Sequence, residues 1–179
     1  MALPRVDEIM FTEEQIHDKV CELAARINSD YAGRPLLLVG IMKGAFMFIA
    51  DIARHVDLPI EFDFIALTSY GSAKKTSGVV RIRKDLDIDV RGRDLLVVED
   101  IIDTGLTLRY LTRDLNARGP ASLEICALLD KQIEEKVELR VKYVGFTIPD
   151  VFVVGYGLDC AESYRNLPYI ATVVDDVQP

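Results

Sequence analysis

The sequence predicts a single α/β domain with a largely parallel, twisted sheet flanked by helices. Three observations support this. Short unbroken apolar runs, such as Leu36-Leu37-Leu38-Val39 and Leu95-Leu96-Val97-Val98, suit strands covered on both faces. Between such runs lie segments whose apolar residues recur three and four apart, the spacing of helices with one buried stripe. A chain of 179 residues, 50% of them hydrophobic, is long enough for one well-packed core and short for two.

Along the chain, Thr12-Glu13-Glu14-Gln15 reads as a capping box that starts a helix. Its apolar positions are Ile16, Val20, Leu23, Ala24 and Ile27, and Asn28, Tyr31 and Gly33 end the pattern. The run at 36–39, between Pro35 and Gly40, is a strand, and residues 44–54 read as the next helix. Ile60, Phe62 and Phe64 alternate with Glu61 and Asp63, and Val80 and Ile82 with Arg81 and Arg83, so two strands flank a polar loop at 70–78. After the strand at 95–98, Leu108, Leu111 and Leu115 mark a helix that stops at Gly119-Pro120. Strands near 123–129, 143–146 and 152–154 complete the pattern. Ligands of such a sheet collect at the carboxyl ends of its strands.

The net charge of -8 argues against general affinity for nucleic acid, whose backbone is bound through clustered Lys and Arg. Cys21, Cys126 and Cys160 are far apart, odd in number and lack the C-x-x-C spacing of a zinc or redox site, as expected of free thiols in a reducing cytosol. The first residues carry acids where a signal peptide needs a basic region, and apolar runs such as 45–50 are too short to cross a bilayer. A cytoplasmic protein with no membrane partner is therefore expected, its mobility confined to the termini and one internal loop.

The strand at 95–98 runs into Glu99-Asp100-Ile101-Ile102-Asp103-Thr104-Gly105-Leu106-Thr107 and then into a helix. Three acids thus sit at the carboxyl end of a strand. Gly105 permits tight backbone geometry, and the amides and hydroxyls of 104–107 open a helix whose positive end favours a phosphate dianion. Glu99 and Asp100 can accept hydrogen bonds from two vicinal ribose hydroxyls or hold metal-bound water. The plain alternative is that they face solvent while Asp103 caps the helix. A sugar phosphate satisfies the acids and the cradle together.

The stretch VVEDIIDTG resembles the phosphoribosyl pyrophosphate motif of type I phosphoribosyltransferases, and its EDIIDTG form is similar to the hypoxanthine-guanine branch. The resemblance runs from about Val39 to Pro168 and implies that fold with a small hood, contributed mainly by the C-terminal segment, over the base. It implies that Glu99 and Asp100 hold the ribose hydroxyls, that Asp103 lies near N7 of a purine, and that Thr104, Gly105, Leu106 and Thr107 bind the 5-phosphate. It further implies Mg2+, with Glu99, Asp100 and Asp159 as the metal-binding acids, and a homodimer or homotetramer.

Gly40-Ile41-Met42-Lys43-Gly44 follows the first core strand, which places Lys43 on the same ligand edge. By position alone, an exposed turn lysine is an equal reading. By resemblance, Lys43 and Gly44 belong to a pyrophosphate loop with a cis Met42-Lys43 peptide. Ser69-Tyr70 resembles the start of an active-site loop, here about 69–78, that closes over pyrophosphate and excludes water. Lys131 matches a donor to O6 of the base, Phe152 a stacking platform, the Val153 carbonyl an acceptor at the base edge, and Arg165 a pyrophosphate-binding arginine. Without the resemblance, Phe152 in an apolar strand reads first as core. Val151 stands where the family commonly has a charge and Cys160 where it has tyrosine, both at the rim that chooses among hypoxanthine, guanine and xanthine.

The implied reaction is displacement of pyrophosphate from C1 of phosphoribosyl pyrophosphate by a purine nitrogen, with Asp103 managing the purine proton and magnesium neutralising the leaving group. His17 and His55 fall on helical segments away from this pocket, so no Ser-His or Cys-His arrangement is foreseen. A phosphoribosyltransferase for another base shares the sugar-phosphate motif but not Lys131 with the 152–159 segment. An RNA-binding regulator on the same fold would show an extended basic face, which the acidic balance disfavours.

Overall fold

Thr12 starts the first helix as its sequence predicts: its Oγ1 accepts the Gln15 amide, and the Gln15 side chain accepts the Thr12 amide. The structure, a computed structural model, describes residues 4–70 and 79–174, and of residues 69, 70 and 79 it describes the backbone alone. In chain order the elements are β1 (Val6–Phe11), α1 (Glu13–Asp30), β2 (Leu36–Met42), α2 (Phe46–His55), β3 (Ile60–Tyr70) and β4 (Val79–Lys84). They continue as β5 (Asp94–Ile102), α3 (Leu106–Ala117), β6 (Ser122–Lys131), β7 (Tyr143–Ile148), β8 (Val153–Val154) and β9 (Ile170–Val173).

Six strands form one sheet in the order β4-β3-β2-β5-β6-β7, parallel throughout except where β4 returns antiparallel to β3. The apolar runs of β2 and β5 are its centre: Leu36 to Val39 and Leu95 to Val98 are all at most 1% exposed. Alternate residues feed two cores. Leu36 and Leu38 pack with Ile16, Val20, Phe48 and Ile52 of α1 and α2, while Leu37 and Val39 pack with Leu108, Leu111 and Leu115 of α3. Helices thus cover both faces, the condition that makes such strands apolar on both sides.

The chain winds from β2 through α2 to β3 in one direction and from β5 through α3 to β6 in the other. β2 and β5 are hydrogen-bonded neighbours at the point of reversal, and a crevice opens outside their carboxyl ends. The loop after Met42 meets Asp100 of β5 there.

Two strands were not legible in the sequence. β1 and β9 pair antiparallel and join β8 in a separate three-stranded sheet, with Val6 opposite Val173 and Val153 opposite Thr172. β8 keeps only two residues of the run expected at 152–154, because Phe152 turns outward and is 53% exposed.

The alternation in β3 is the reverse of the expected one around Asp63. Asp63 is buried at 5% exposure whereas Phe62 is 44% exposed. The carboxylate turns inward because it accepts the amides of Asp87 and Ile88 at 2.7 and 2.9 Å and that of Phe64 at 2.7 Å, and so tethers the segment after β4. Among the described residues no helix is long and apolar enough to cross a membrane.

Candidate active site

The β5 register carries Glu99 and Asp100 to the end of the fully buried run, where both are half-buried rather than solvated. Burial, and then the charge of Asp100, push the Glu99 carboxyl well above the usual range. Burial raises Asp100 to about 6, against hydrogen bonds from the backbone amides of Ile101 and Asp100 and against the Arg165 charge. Glu99 Oε2 is buried without a hydrogen-bond partner. A buried carboxylate oxygen left unmatched is costly to folding and answers to a donor or cation supplied from outside.

The acidic end opens on two cavities. The smaller, about 110 Å³, is lined by Glu99, Asp103, Thr104, Gly105 and Thr107. Gly105 adopts φ +77 and is the N-cap of α3, where it offers no capping side chain of its own, so the amides that follow Leu106 face the positive end of the helix without a cap from Gly105. Thr104 Oγ1 accepts the Leu106 amide at 3.4 Å, and the Thr104 carbonyl accepts the Val137 amide at 3.0 Å. Such a helix start can hold a phosphate.

The larger cavity, about 280 Å³, is lined by Asp100, Asp103, Lys131, Phe152, Val153 and Asp159 among others. Lys131 stands at the end of β6, its side chain 13% exposed, with Nζ 3.2 Å from Asp150 Oδ1 and 3.7 Å from Asp103 Oδ1. Phe152 exposes its ring at the cavity wall. A partly buried ammonium beside an open aromatic face is a setting for a planar polar ring.

On the β2 side the peptide Met42-Lys43 is cis. Gly44 lies against Asp100, and a Cβ built on it would sit 1.6 Å from Asp100 Oδ2. Lys43 Nζ reaches Glu162 Oε2 at 2.9 Å, and Arg165 reaches Glu162 Oε2 at 3.3 Å, Asp159 Oδ1 at 2.8 Å and the Gly157 carbonyl at 2.7 Å. The Lys43 and Arg165 partners hold the Glu162 carboxyl below its ordinary range. Two cations from distant parts of the chain therefore converge on one acid.

The structure thus brings together Lys43, Gly44, Glu99, Asp100, Asp103, Thr104, Gly105, Leu106, Thr107, Lys131, Phe152, Val153, Asp159 and Arg165 around one crevice. The Ser69 and Tyr70 side chains and the loop at 71–78 lie outside the described residues. Sequence reading missed Asp150 and Glu162, the partners of Lys131 and of the Lys43–Arg165 pair. Glu162 could have been suspected from its place three residues from both Asp159 and Arg165.

The carboxylates of Glu99, Asp100 and Asp159 are hard oxygen donors, and the unpartnered Glu99 Oε2 adds a buried acceptor. Among the described residues these acids do not gather three ligand atoms within 4.8 Å of one another. It is the hardness of these oxygen donors that fits Mg2+, which takes one or two carboxylates and fills its shell with water and substrate oxygens.

Residues 11–161 match the family model for the phosphoribosyl transferase domain. The chain is 48% identical over 174 residues to a hypoxanthine-guanine phosphoribosyltransferase of Mycobacterium bovis, covering 94% of this chain and 86% of that one. It is 49% identical over 170 residues to a hypoxanthine phosphoribosyltransferase of Haemophilus influenzae, covering 93% and 95%. A crystal structure of a hypoxanthine-guanine phosphoribosyltransferase from Bacillus anthracis superposes with a TM-score of 0.91 at 46% identity, over 95% of this chain and all of the other. With its phosphate cradle, paired acids and Lys131–Phe152 cavity in one crevice, the chain belongs to the hypoxanthine(-guanine) phosphoribosyltransferase family.

Proposed function

We propose that this enzyme transfers the phosphoribosyl group of 5-phosphoribosyl 1-pyrophosphate to hypoxanthine or guanine, giving IMP or GMP and pyrophosphate in purine salvage. The observation that supports this most is the meeting of the loop after β2 with the end of β5: a cationic loop, paired acids and a phosphate cradle share one crevice with the Lys131–Phe152 cavity.

In this reading the amides and hydroxyls of 104–107 take the 5-phosphate, and Glu99 and Asp100 accept the two ribose hydroxyls. Lys43, the Gly44 amide and Arg165 receive the pyrophosphate, exchanging Glu162 for it. Phe152 stacks on the purine, Lys131 donates to O6 and the Val153 carbonyl accepts from the base edge. Asp103, 63% exposed beside Lys131, is placed to take the N7 proton as C1 bonds to the purine nitrogen. Its negative charge also favours the oxocarbenium character that develops as the C1–pyrophosphate bond breaks. Glu99, Asp100 and Asp159 are the residues that would hold Mg2+, which when bound supplies charge neutralisation on the leaving pyrophosphate.

One catalytic unit spans the chain, with the antiparallel β1-β9-β8 sheet and the 152–165 segment as the hood. A cytoplasmic homodimer or homotetramer belongs to the same reading, since exposed Met42, Phe46 and Phe62 are apolar side chains that assembly would cover. Incubation with hypoxanthine, phosphoribosyl pyrophosphate and Mg2+ should yield IMP and pyrophosphate in equal amounts by chromatography. Pyrophosphate release that does not depend on added base would refute the assignment.

A further inference from the structure

The chain has two histidines, His17 and His55, and the fold brings both to one place with Cys21. His17 and Cys21 are four apart on α1, which puts them on one helical face a turn apart. His55 ends α2, packed alongside. One ligand atom from each of the three lies within 4.8 Å of the other two, and the imidazole rings meet edge to face at 5.4 Å. Nothing in the proposed transfer reaction uses them.

We infer that His17, Cys21 and His55 form a binding site for a borderline-soft divalent cation of the zinc class, separate from the magnesium-dependent crevice. The dimensions agree. Zinc bonds of about 2.3 Å to sulfur and about 2.0–2.1 Å to nitrogen place two tetrahedral ligands about 3.6 Å apart. Cys21 Sγ and His17 Nε2 are 3.7 Å apart.

The second histidine is also prepared for the role. His55 Nδ1 lies 2.9 Å from the Asp51 carbonyl oxygen. A carbonyl only accepts, so Nδ1 carries the proton and Nε2 keeps its lone pair, the arrangement that orients metal-bound imidazoles. Asp51 is itself held, accepting the Tyr156 hydroxyl at 2.6 Å. The His17 imidazole is exposed, and a small rotation of it would close the triangle.

Three protein ligands leave a fourth position. His17 and His55 also line a cavity of about 420 Å³ together with Asp51, Tyr156 and Glu13, the last one turn before His17 on α1. Water or the Glu13 carboxylate completes the shell. The donor set separates this site from the crevice, because imidazole and thiolate select zinc, cobalt or copper whereas carboxylates suit magnesium. Binding releases the Cys21 thiol proton to solvent.

The test is a Co2+ titration of tag-free, metal-stripped protein in excess Mg2+. One cobalt per chain should bind with the near-ultraviolet charge-transfer absorption of a cobalt thiolate, and Zn2+ should displace it. Cys21→Ser should abolish that absorption, His17→Gln and His55→Gln should each weaken binding by at least about tenfold, and Cys160→Ser should leave it unchanged. If Cys21→Ser fails to fold, alkylation of Cys21 by iodoacetamide decides: saturating Zn2+ should slow it at least about tenfold in the wild type, and the same slowing in His17→Gln should need at least about tenfold more Zn2+. Cobalt bound without the thiolate band, a band that survives Cys21→Ser, or unchanged affinity in both histidine variants would overturn the assignment.

Discussion

Gly44 packs so closely on Asp100 that a side chain at position 44 would force one of the two to move: an added Cβ would lie 1.6 Å from Asp100 Oδ2 and 2.4 Å from its Cγ. The contact joins the loop after β2 to the acids near the end of β5, across the reversal point of the sheet. Gly44→Ala should therefore displace either the Lys43 loop or Asp100. Because misplacement by an ångström costs about 10²-fold in rate, kcat/KM for phosphoribosyl pyrophosphate should fall by about that factor or more. The melting temperature should change little, since the clash relaxes into an open crevice. Steady-state kinetics beside a thermal melt checks both halves.

Asp103→Asn should lower kcat by about 10²- to 10⁴-fold. Amide replaces carboxylate with almost no change of volume, so what is lost is charge and proton acceptance. The fold should be unaffected, because Asp103 is exposed and its contact with Lys131 is 3.7 Å long. Single-turnover kinetics with hypoxanthine gives the relevant rate, and wild-type turnover there would exclude Asp103 from the chemistry.

Lys131→Gln should narrow the choice between oxopurines and adenine. An ammonium only donates, and adenine presents a 6-amino donor where hypoxanthine presents an acceptor. The buried mismatch costs about 1–3 kcal/mol, enough for roughly tenfold to hundredfold discrimination in the wild type. Glutamine offers both a donor and an acceptor, so the kcat/KM ratio of hypoxanthine to adenine should shrink even as the oxopurine rate falls. The ratio is the proper readout, since removing a charge held by Asp150 and Asp103 can weaken every base at once.

Asp63 provides a pH-dependent stability test away from the site. Burial alone would raise its carboxyl, but hydrogen bonds from the amides of Ile88, Phe64 and Asp87, with the Lys84 charge, outweigh burial and hold it below the ordinary value of 3.8. A depressed folded-state value means stability that is present above the unfolded value and lost as pH falls through the folded one. Asp63→Asn should destabilise the protein at pH 7 by about 1.5–3 kcal/mol, and the difference from wild type should close on acidification below that range. Urea melts across pH would show it.

Much of this fold follows from local chemistry. The capping box at Thr12, the two apolar runs and the Thr104-Gly105 helix start each settle their own geometry, and the sheet order then brings the Lys43 loop to the acids. The cis Met42-Lys43 peptide and the residues around the crevice were expected from the family resemblance. What stayed hidden depends on distant partners. β1 and β9 are short and lie 164 residues apart where Glu8 meets Thr172, so neither announces the other. Asp63 reads as a solvent-facing residue until the 87–88 amides are seen to need it. Glu162 and Asp150 are ordinary surface acids in sequence, and only the fold places them on Lys43, Arg165 and Lys131. The neighbourhood of His17, Cys21 and His55 was likewise hidden, because it forms only where α1 and α2 pack together.

The most direct test of the central claim is kcat/KM for a panel of hypoxanthine, guanine, adenine, uracil and orotate with phosphoribosyl pyrophosphate and Mg2+. Hypoxanthine and guanine should be turned over, adenine should be poorer by at least about tenfold to a hundredfold, and the pyrimidines should give no nucleotide. Efficient use of adenine or a pyrimidine, or failure of both oxopurines, would contradict the account.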